Sequence, residues 1–169
     1  PRATTSLTQR LLSSDAALTL DKDDFSLGLR MSKWQTLQDV SAPIVPPYDR
    51  LPQLTARYAK NNVSGFDFSI SSDYTKFSSA PLLTQQPNAS RALLVAQLSR
   101  PWVAPGWFFT PKVQLHATKY QFDTPLSNGL REVNRSLPTF SVDSGLLFER
   151  DTNFFGRAVT QTLEPRAFY

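Results

Sequence analysis

The sequence contains no cysteine and only one histidine in 169 residues. Without cysteine, the chain forms neither internal disulfides nor thiolate metal sites. With a single histidine, a metal would have to be held mainly by carboxylates, and these are dispersed along the chain. We therefore expect no metal and no cofactor.

Long hydrophobic runs are missing as well. Hydrophobic residues make up 40% of the chain and charged residues 19%, and no segment approaches the roughly 18 apolar residues of a membrane-spanning helix. A spanning β-strand, however, needs only about 9 to 11 residues, half of which are polar in a barrel. Hydropathy therefore does not separate a soluble sheet from a membrane barrel.

Motifs of common catalytic and nucleotide-binding sites are absent too. There is no G-x-S-x-G elbow, and the six glycines are isolated rather than gathered in a phosphate-binding loop. His116 falls on a predicted polar strand face, where a hydrated side chain is favoured over a general base. Solvated carboxylates matched to arginines are likewise favoured over an acid–base pair. The sequence indicates a protein that is not an enzyme.

Basic residues outnumber acidic ones only slightly, with 18 Lys and Arg against 14 Asp and Glu. They are scattered and form no basic run of the kind that marks nucleic-acid-binding patches. The net charge of +4 therefore predicts no nucleic-acid partner.

What the sequence does contain is a period of two. In the stretch 137–169, apolar Phe140, Val142, Leu146 and Phe148 alternate with polar or small residues. This spacing predicts a strand with one apolar and one polar face. Residues 150–153 read as a polar turn, after which a second alternating strand runs to the end of the chain.

The same pattern recurs along the chain and predicts about eight strands in four hairpins. Short connections are expected near residues 21–24, 61–65, 100–106 and 151–156. Long ones are expected at 38–50, 75–90 and 123–136. The strand over 91–99 has four apolar residues in succession, so its faces remain unassigned.

Alternation alone leaves two settings open. Either the apolar face covers a protein core and the polar face meets water, or the apolar face meets lipid and the polar face lines a lumen. In a series of hairpins, successive connections fall at opposite ends of the sheet, so all the short connections share one end. This segregation is the habit of outer-membrane barrels and favours the second setting.

Several segments are specific enough to indicate a family. They are SVDSGLLFERD (141–151), FGRAVTQTLEPRAFY (155–169), YDRLPQL (48–54), WQTLQD (34–39) and LSRPW followed by FTPKVQLHATKY (98–120). In order and rough spacing, across nearly the whole chain, they resemble the barrel portion of the LptD family of lipopolysaccharide-assembly proteins.

The resemblance implies an all-β fold: residues 1–169 would be part of a single outer-membrane domain, an antiparallel transmembrane β-barrel. It also implies a translocon that inserts lipopolysaccharide into the outer leaflet of a Gram-negative outer membrane, without catalysis of its own. The implied partners are an LptE-type lipoprotein plug, a periplasmic LptA-type bridge reached through a jellyroll domain, lipopolysaccharide and membrane lipid. The sequence departs from the family pattern in lacking the jellyroll, the family's cysteines and the first and last strands.

Each face of the predicted wall then carries a set of candidate residues. Those expected to face a polar lumen are Arg30, Arg57, Asp67, His116, Asp143, Glu149, Glu164 and Arg166. Those expected to face lipid are Leu27, Leu29, Phe66, Phe68, Phe140, Val142, Leu146 and Phe148. Two alternatives stay open, namely a complete eight-stranded outer-membrane lipid-modifying enzyme and a soluble β-barrel lipid carrier.

Overall fold

The fold is all-β and antiparallel, as the alternation predicts. A computed structural model describes residues 10–37, 44–80 and 84–169. Its strands are β1 (Leu11–Lys22), β2 (Phe25–Thr36), β3 (Asp49–Val63), β4 (Phe66–Ser78), β5 (Ala89–Ser99), β6 (Trp102–Ala104), β7 (Trp107–Phe122), β8 (Glu132–Leu146), β9 (Phe148–Phe154), β10 (Arg157–Leu163) and β11 (Arg166–Phe168). Within the described ranges, no helix has the length and apolar character that crossing a membrane requires.

The larger sheet is a meander in which most strands pair with the next strand of the chain, the exceptions being β5 with β7 and β8 with β11. Its strand order is β1-β2-β3-β4-β5-β7-β8-β11, with β6 paired to β7 beside this path. Strands β9 and β10 form a separate two-stranded sheet. Simple hairpin connections of this kind need no crossovers, so the order of the chain fixes the order of the strands.

The strands have three short breaks, of which two divide predicted strands and one lies in the connection predicted at 100–106. Arg100 and Pro101 separate β5 from β6, Leu147 separates β8 from β9, and Glu164 and Pro165 separate β10 from β11. Proline has no N–H to donate to a ladder, which accounts for two of the breaks. At the third, the Leu147 N–H donates to the Gly106 carbonyl at 2.9 Å. The structure therefore has eleven strands, because two predicted strands are each divided in two and β6 forms within a predicted connection.

The short connections are tighter than predicted. Cross-strand pairs Lys22↔Phe25, Ala104↔Trp107 and Phe154↔Arg157 each leave a two-residue turn. The polar turn expected at 150–153 is wrong, because those residues lie in β9 and pair with β10. The turn is at Phe155–Gly156, where φ angles of 49° and 76° fit the type I′ turn that matches strand twist.

The long connections are shorter than predicted where the structure describes them. Strand β4 runs on to Ser78, β5 begins at Ala89 and β8 begins at Glu132. Residues 38–43 of the first predicted loop and 81–83 of the second lie outside the described residues.

The described chain forms two compact units. One contains the residues up to Tyr58 together with Ser71–Leu94 and Ala117–Ser136. The other contains Ala59–Ile70, Val95–His116 and Leu137–Tyr169. Each is considered separately below.

In the first unit, the registers of β1, β2 and β3 sort apolar and polar side chains onto opposite faces. Leu18, Leu29 and Leu54 are cross-strand neighbours. One residue along each strand, Thr19, Gly28 and Thr55 form the next row on the other face. The period of two seen in sequence thus becomes two chemically different surfaces.

The usual relation between polarity and burial is reversed. Among the described residues, Ala89 is the only buried hydrophobic one, whereas Ser32, Thr75 and Ser99 are buried polar residues. Large apolar side chains stay in contact with solvent, for example Leu18 at 70% exposure and Phe140 at 56%. A soluble domain would cover such side chains with a second layer.

Gly156 offers a test of the Phe155–Gly156 turn. No atom lies within 4 Å of a Cβ built there, so Gly156→Ala adds only the cost of a left-handed backbone, about 1–2 kcal/mol. We expect amide hydrogens of β9 and β10 to exchange about tenfold faster in this variant. The matched control is Gly106→Ala, at the same turn position without a left-handed φ. If Gly106→Ala accelerated the amide exchange of β9 and β10 as much as Gly156→Ala does, the left-handed turn at Phe155–Gly156 would be contradicted.

Candidate functional site

The polar face of the first unit centres on the carboxylate of Asp73. This carboxylate accepts hydrogen bonds from Gln53 Nε2 at 2.7 Å, from Thr75 Oγ1 at 2.8 Å and from Arg91 Nη2 at 2.9 Å. Strand β3 supplies Gln53, β4 supplies Asp73 and Thr75, and β5 supplies Arg91. Thr75 is fully buried, and the side chains of Asp73 and Arg91 are 14% and 29% exposed. The cluster therefore links three strands through a partly desolvated ion pair.

Aromatic side chains hold Arg91 from a second direction. Its guanidinium carbon lies 5.4 Å from the Phe77 ring centroid, and Tyr48 meets the same ring edge-on at 6.0 Å. The Tyr48 hydroxyl donates to the Pro87 carbonyl at 2.8 Å. Arg91 Nε is buried without a hydrogen-bond partner, and the guanidinium is held by its Nη2 bond to Asp73, by Tyr120 and by the Phe77 ring. The arginine therefore has stabilising partners on several strands.

A second ion pair on the same face is open to water. Arg30 donates through Nε at 3.0 Å and through Nη2 at 2.8 Å to one carboxylate oxygen of Asp15. Both side chains are more than a third exposed. In the strand register, Arg30 pairs with Ala17 and Asp15 pairs with Ser32, so the ion pair runs diagonally across β1 and β2. Such an exposed pair contributes little stability but removes one positive charge from the surface.

In the second unit, an ion pair between Arg166 and Asp143 lies beside a close contact between Phe108 and Gly145. Arg166 of β11 donates through Nε to Asp143 Oδ1 of β8 at 2.8 Å, and its guanidinium carbon lies 5.8 Å from the Phe108 ring centroid. The Phe108 ring occupies the space over Gly145, where a Cβ would overlap it. Glycine at 145 therefore allows the ring of Phe108 on β7 to approach the backbone of β8 closely.

The predicted polar candidates occupy several environments. Arg30, Asp143 and Arg166 are in the ion pairs just described, as the matching of carboxylates to arginines predicted. Asp67 accepts a bond from the backbone N–H of Asn62 at 2.8 Å and so closes a turn. Arg57 is exposed and pairs in register with Ser26 on the Arg30 face. The remaining candidates, all exposed, are His116, Glu149 and Glu164.

The predicted lipid-facing candidates stay at the surface. Those that are exposed are Leu27, Phe68, Phe140, Leu146 and Phe148. Those that are half-buried are Leu29, Phe66 and Val142. In the first unit, Leu27 and Leu29 line an open groove of about 840 Å³ with Leu18, Leu20 and Leu54. This groove lies on the apolar face defined by the β1–β3 registers.

In the part of the chain that the structure describes, no three metal-ligating side chains cluster, and His116 has no hydrogen-bonding partner that would orient it as a base. Most of the carboxylates with a described partner bind an arginine, a lysine, an amide or a hydroxyl group. Such a surface is suited to contact with a hydrated polar molecule.

Sequence reasoning missed the Asp73 cluster. Gln53, Thr75 and Arg91 each look like an ordinary polar residue of a wet face, and only the pairing across β3, β4 and β5 brings them together. The one available signal was an arginine beside the apolar run 92–96, because a charge in such a position needs a partner. The sequence does not say which carboxylate provides it.

We expect Asp73→Asn to destabilise the fold by about 1–3 kcal/mol, since it leaves the partly buried Arg91 charge without its counter-ion. The control is Asp15→Asn, which breaks the exposed pair with Arg30 and should change stability little. Urea unfolding of the full-length protein in lipid vesicles measures both. Equal losses would show that the Asp73 cluster is no more important than a surface pair.

The comparisons with known proteins agree with this geometry. The sequence profile of the LptD family, described as LPS transport system D, matches residues 2–169. An LPS-assembly protein LptD from Albidiferax ferrireducens is 63% identical over 99% of this chain, and one from a Polaromonas species is 58% identical over all of it. A more distant relative of the same name, from Ralstonia nicotianae, is 42% identical over 99% of the chain.

The matched region is a fraction of each relative, since the chain spans 21% of their length in all three cases. The match nevertheless covers every strand described above, including the polar and apolar faces. The chain therefore belongs to the LptD family.

Proposed function

We propose that residues 1–169 form part of a single outer-membrane β-barrel domain, and that this barrel inserts lipopolysaccharide into the outer leaflet of a Gram-negative outer membrane. The relatives are named LPS-assembly proteins, which supports the general role. The observation that carries the proposal is the reversal of burial: apolar side chains are exposed, while buried side chains are mostly small and polar.

That reversal has a simple physical cause in a bilayer. Exposed leucine and phenylalanine cost free energy in water, about 25 cal/mol per Å² of apolar surface, and no such cost arises against lipid tails. The strand ladders satisfy the backbone N–H and C=O groups, which is the other condition for crossing hydrocarbon. On the apolar face of β1–β3, strands β2 and β3 meet both conditions, whereas β1 lies at the edge of the described sheet and pairs on one side only.

The polar face then becomes the wall of a conduit. A glycan that carries hydroxyl and phosphate groups must pass without being held, so weak contacts serve better than one tight site. Pairing Arg30 with Asp15, Arg91 with Asp73 and Arg166 with Asp143 supports this role. Each pair leaves a polar but nearly neutral surface that neither traps nor strongly repels phosphate.

The partners follow from family membership and are part of the proposal. We infer an LptE-type lipoprotein plug in the lumen and an LptA-type periplasmic bridge that supplies lipopolysaccharide through a jellyroll domain. The mainly neutral, hydroxyl-rich wall supports contact with a protein plug as well as with sugar, because both present hydrogen-bonding surfaces.

Neighbouring residues of β8 test the assignment of faces. Phe140→Arg should destabilise the full-length protein by about 2–4 kcal/mol if residue 140 meets the bilayer midplane, falling towards zero near an interface. Ser141→Arg is the matched control, one residue along the same strand on the opposite face, and should be tolerated. Unfolding in lipid vesicles and the level of surface lipopolysaccharide measure the effects. A tolerated arginine at 140 and a harmful one at 141 would reverse the assignment.

Glu149 tests whether the wall must avoid holding the phosphate groups of lipopolysaccharide. Glu149→Lys should lower surface delivery of lipopolysaccharide roughly twofold or more, because a lysine retains the phosphates it meets. Glu149→Gln, which removes charge without reversing it, should have a smaller effect. Asp143→Lys is a less direct test, because it also takes the counter-ion from Arg166. Unchanged delivery with lysine at 149 would remove the electrostatic part of the proposal.

A second candidate is a soluble lipid carrier that binds acyl chains on its apolar face. The open groove of about 840 Å³ lined by Leu18, Leu20, Leu27, Leu29 and Leu54 favours it. A carrier must remain folded and monomeric without detergent, whereas a membrane barrel aggregates. Light scattering of the full-length protein after detergent removal separates the two.

A further inference from the structure

Arg100 is an arginine on an aromatic surface rather than in an ion pair. Its guanidinium carbon lies 4.8 Å from the Phe66 ring centroid and 4.9 Å from the Trp102 ring centroid. Both distances are within the roughly 6 Å over which a cation is attracted to the face of an aromatic ring. Two rings thus hold one guanidinium.

The surroundings of Arg100 are those of the apolar face. Trp102 stacks on its cross-strand partner Phe109 with centroids 5.7 Å apart, and the neighbouring pair on that face is Ala104 with Trp107. Trp102, Trp107 and Phe109 are all exposed. Phe66 is one of the side chains predicted to face lipid. Arg100 therefore belongs to the proposed membrane-facing surface and not to the polar wall.

The position along the strands is equally informative. Phe66 is the first strand residue after the turn at Ser64–Gly65, and Trp107 is the first after the turn at Pro105–Gly106. The cluster therefore lies where strands end. Tryptophan and phenylalanine at strand ends are typical of the girdle where a barrel meets lipid headgroups.

The side-chain N–H groups of Arg100 are available to a group outside the protein. Its backbone N–H donates to the Pro111 carbonyl at 3.2 Å. Within the described residues, no carboxylate is within ion-pair distance of its guanidinium, in contrast to Arg30, Arg91 and Arg166. The two rings supply no carboxylate oxygen, so the N–H fork of the guanidinium can still match two oxygens of a phosphate.

We propose that Arg100, held between Phe66 and Trp102, is a binding site for the phosphate of an anionic phospholipid headgroup. The inference rests on the proposed function, because it requires this face to meet the bilayer. A lipid is favoured over lumenal sugar or free phosphate because the rings that hold Arg100 share the apolar face, where an acyl chain packs beside the bound headgroup.

The test uses the fluorescence of Trp107, obtained as the difference between the full-length protein and its Trp107→Phe variant. Each is reconstituted in phosphatidylcholine containing either brominated phosphatidylglycerol or brominated phosphatidylcholine with the same acyl chains. We expect stronger quenching by the anionic lipid, equivalent to about fivefold local enrichment, which corresponds to about 1 kcal/mol for one arginine near a membrane surface. The preference should persist in excess inorganic phosphate at matched ionic strength.

Arg100→Gln should abolish the headgroup preference while quenching itself remains. The control Arg57→Gln removes the same charge from the opposite kind of face and should keep the preference. If Arg100→Gln does not fold, Arg100→Lys replaces it, and we expect the preference to fall roughly by half because lysine binds phosphate as a point charge. An undiminished preference in either Arg100 variant would overturn the site.

The two proposals fail in different ways. If neither brominated lipid quenches Trp107, the face does not meet the bilayer and the proposed function is wrong there. If both quench Trp107 equally in the unaltered protein, the face meets lipid but the headgroup site does not exist. Loss of the preference in excess inorganic phosphate would assign Arg100 to free anions instead of lipid.

Discussion

The antiparallel register of the strands is the constraint on which the other features depend. Strands β1 and β2 pair without interruption from Leu11↔Thr36 to Lys22↔Phe25, so each side chain keeps its face along the whole hairpin. A shift by one residue would exchange the apolar and polar faces completely. The faces of β1–β3, the Asp15–Arg30 bridge and the leucine rows all require this one register. The face that each side chain occupies is therefore determined by the pairing of strands that are distant in sequence.

The single irregularity described in the β2–β3 pairing shows the same dependence. The register shifts between Arg30 and Ser32, which pair with Gln53 and Arg50 respectively. The extra residue on β3 falls around Leu51 and Pro52, where proline has no N–H to give to a ladder. The bulge brings Arg50 opposite Ser32 on the polar face. A proline in the strand is thus accommodated without moving a charge to the apolar side.

The sequence predicts those features that depend on one strand at a time. Period-two alternation identified the strands and their faces, because each residue reports its own side of the sheet. It fails at Phe155, an apolar residue 92% exposed in a turn, because backbone conformation and not side-chain polarity determines this turn. It also failed at the Asp73 cluster, where residues that are 18 and 20 positions apart meet. Pairing between strands has no signature in a single sequence.

The arginines show how side-chain partners differ between the two faces, since the positive charge of a guanidinium needs a stabilising partner suited to its surroundings. On the polar face it is met by a carboxylate, as in the Arg30–Asp15 and Arg91–Asp73 pairs. Arg100 is met by the faces of two aromatic rings, which stabilise a cation without supplying a negative charge. A charge stabilised only by rings still lacks a counter-ion, and in the proposed setting a headgroup phosphate at the bilayer surface would supply one. The partners of these three arginines therefore follow the proposed division into a polar and a membrane-facing surface.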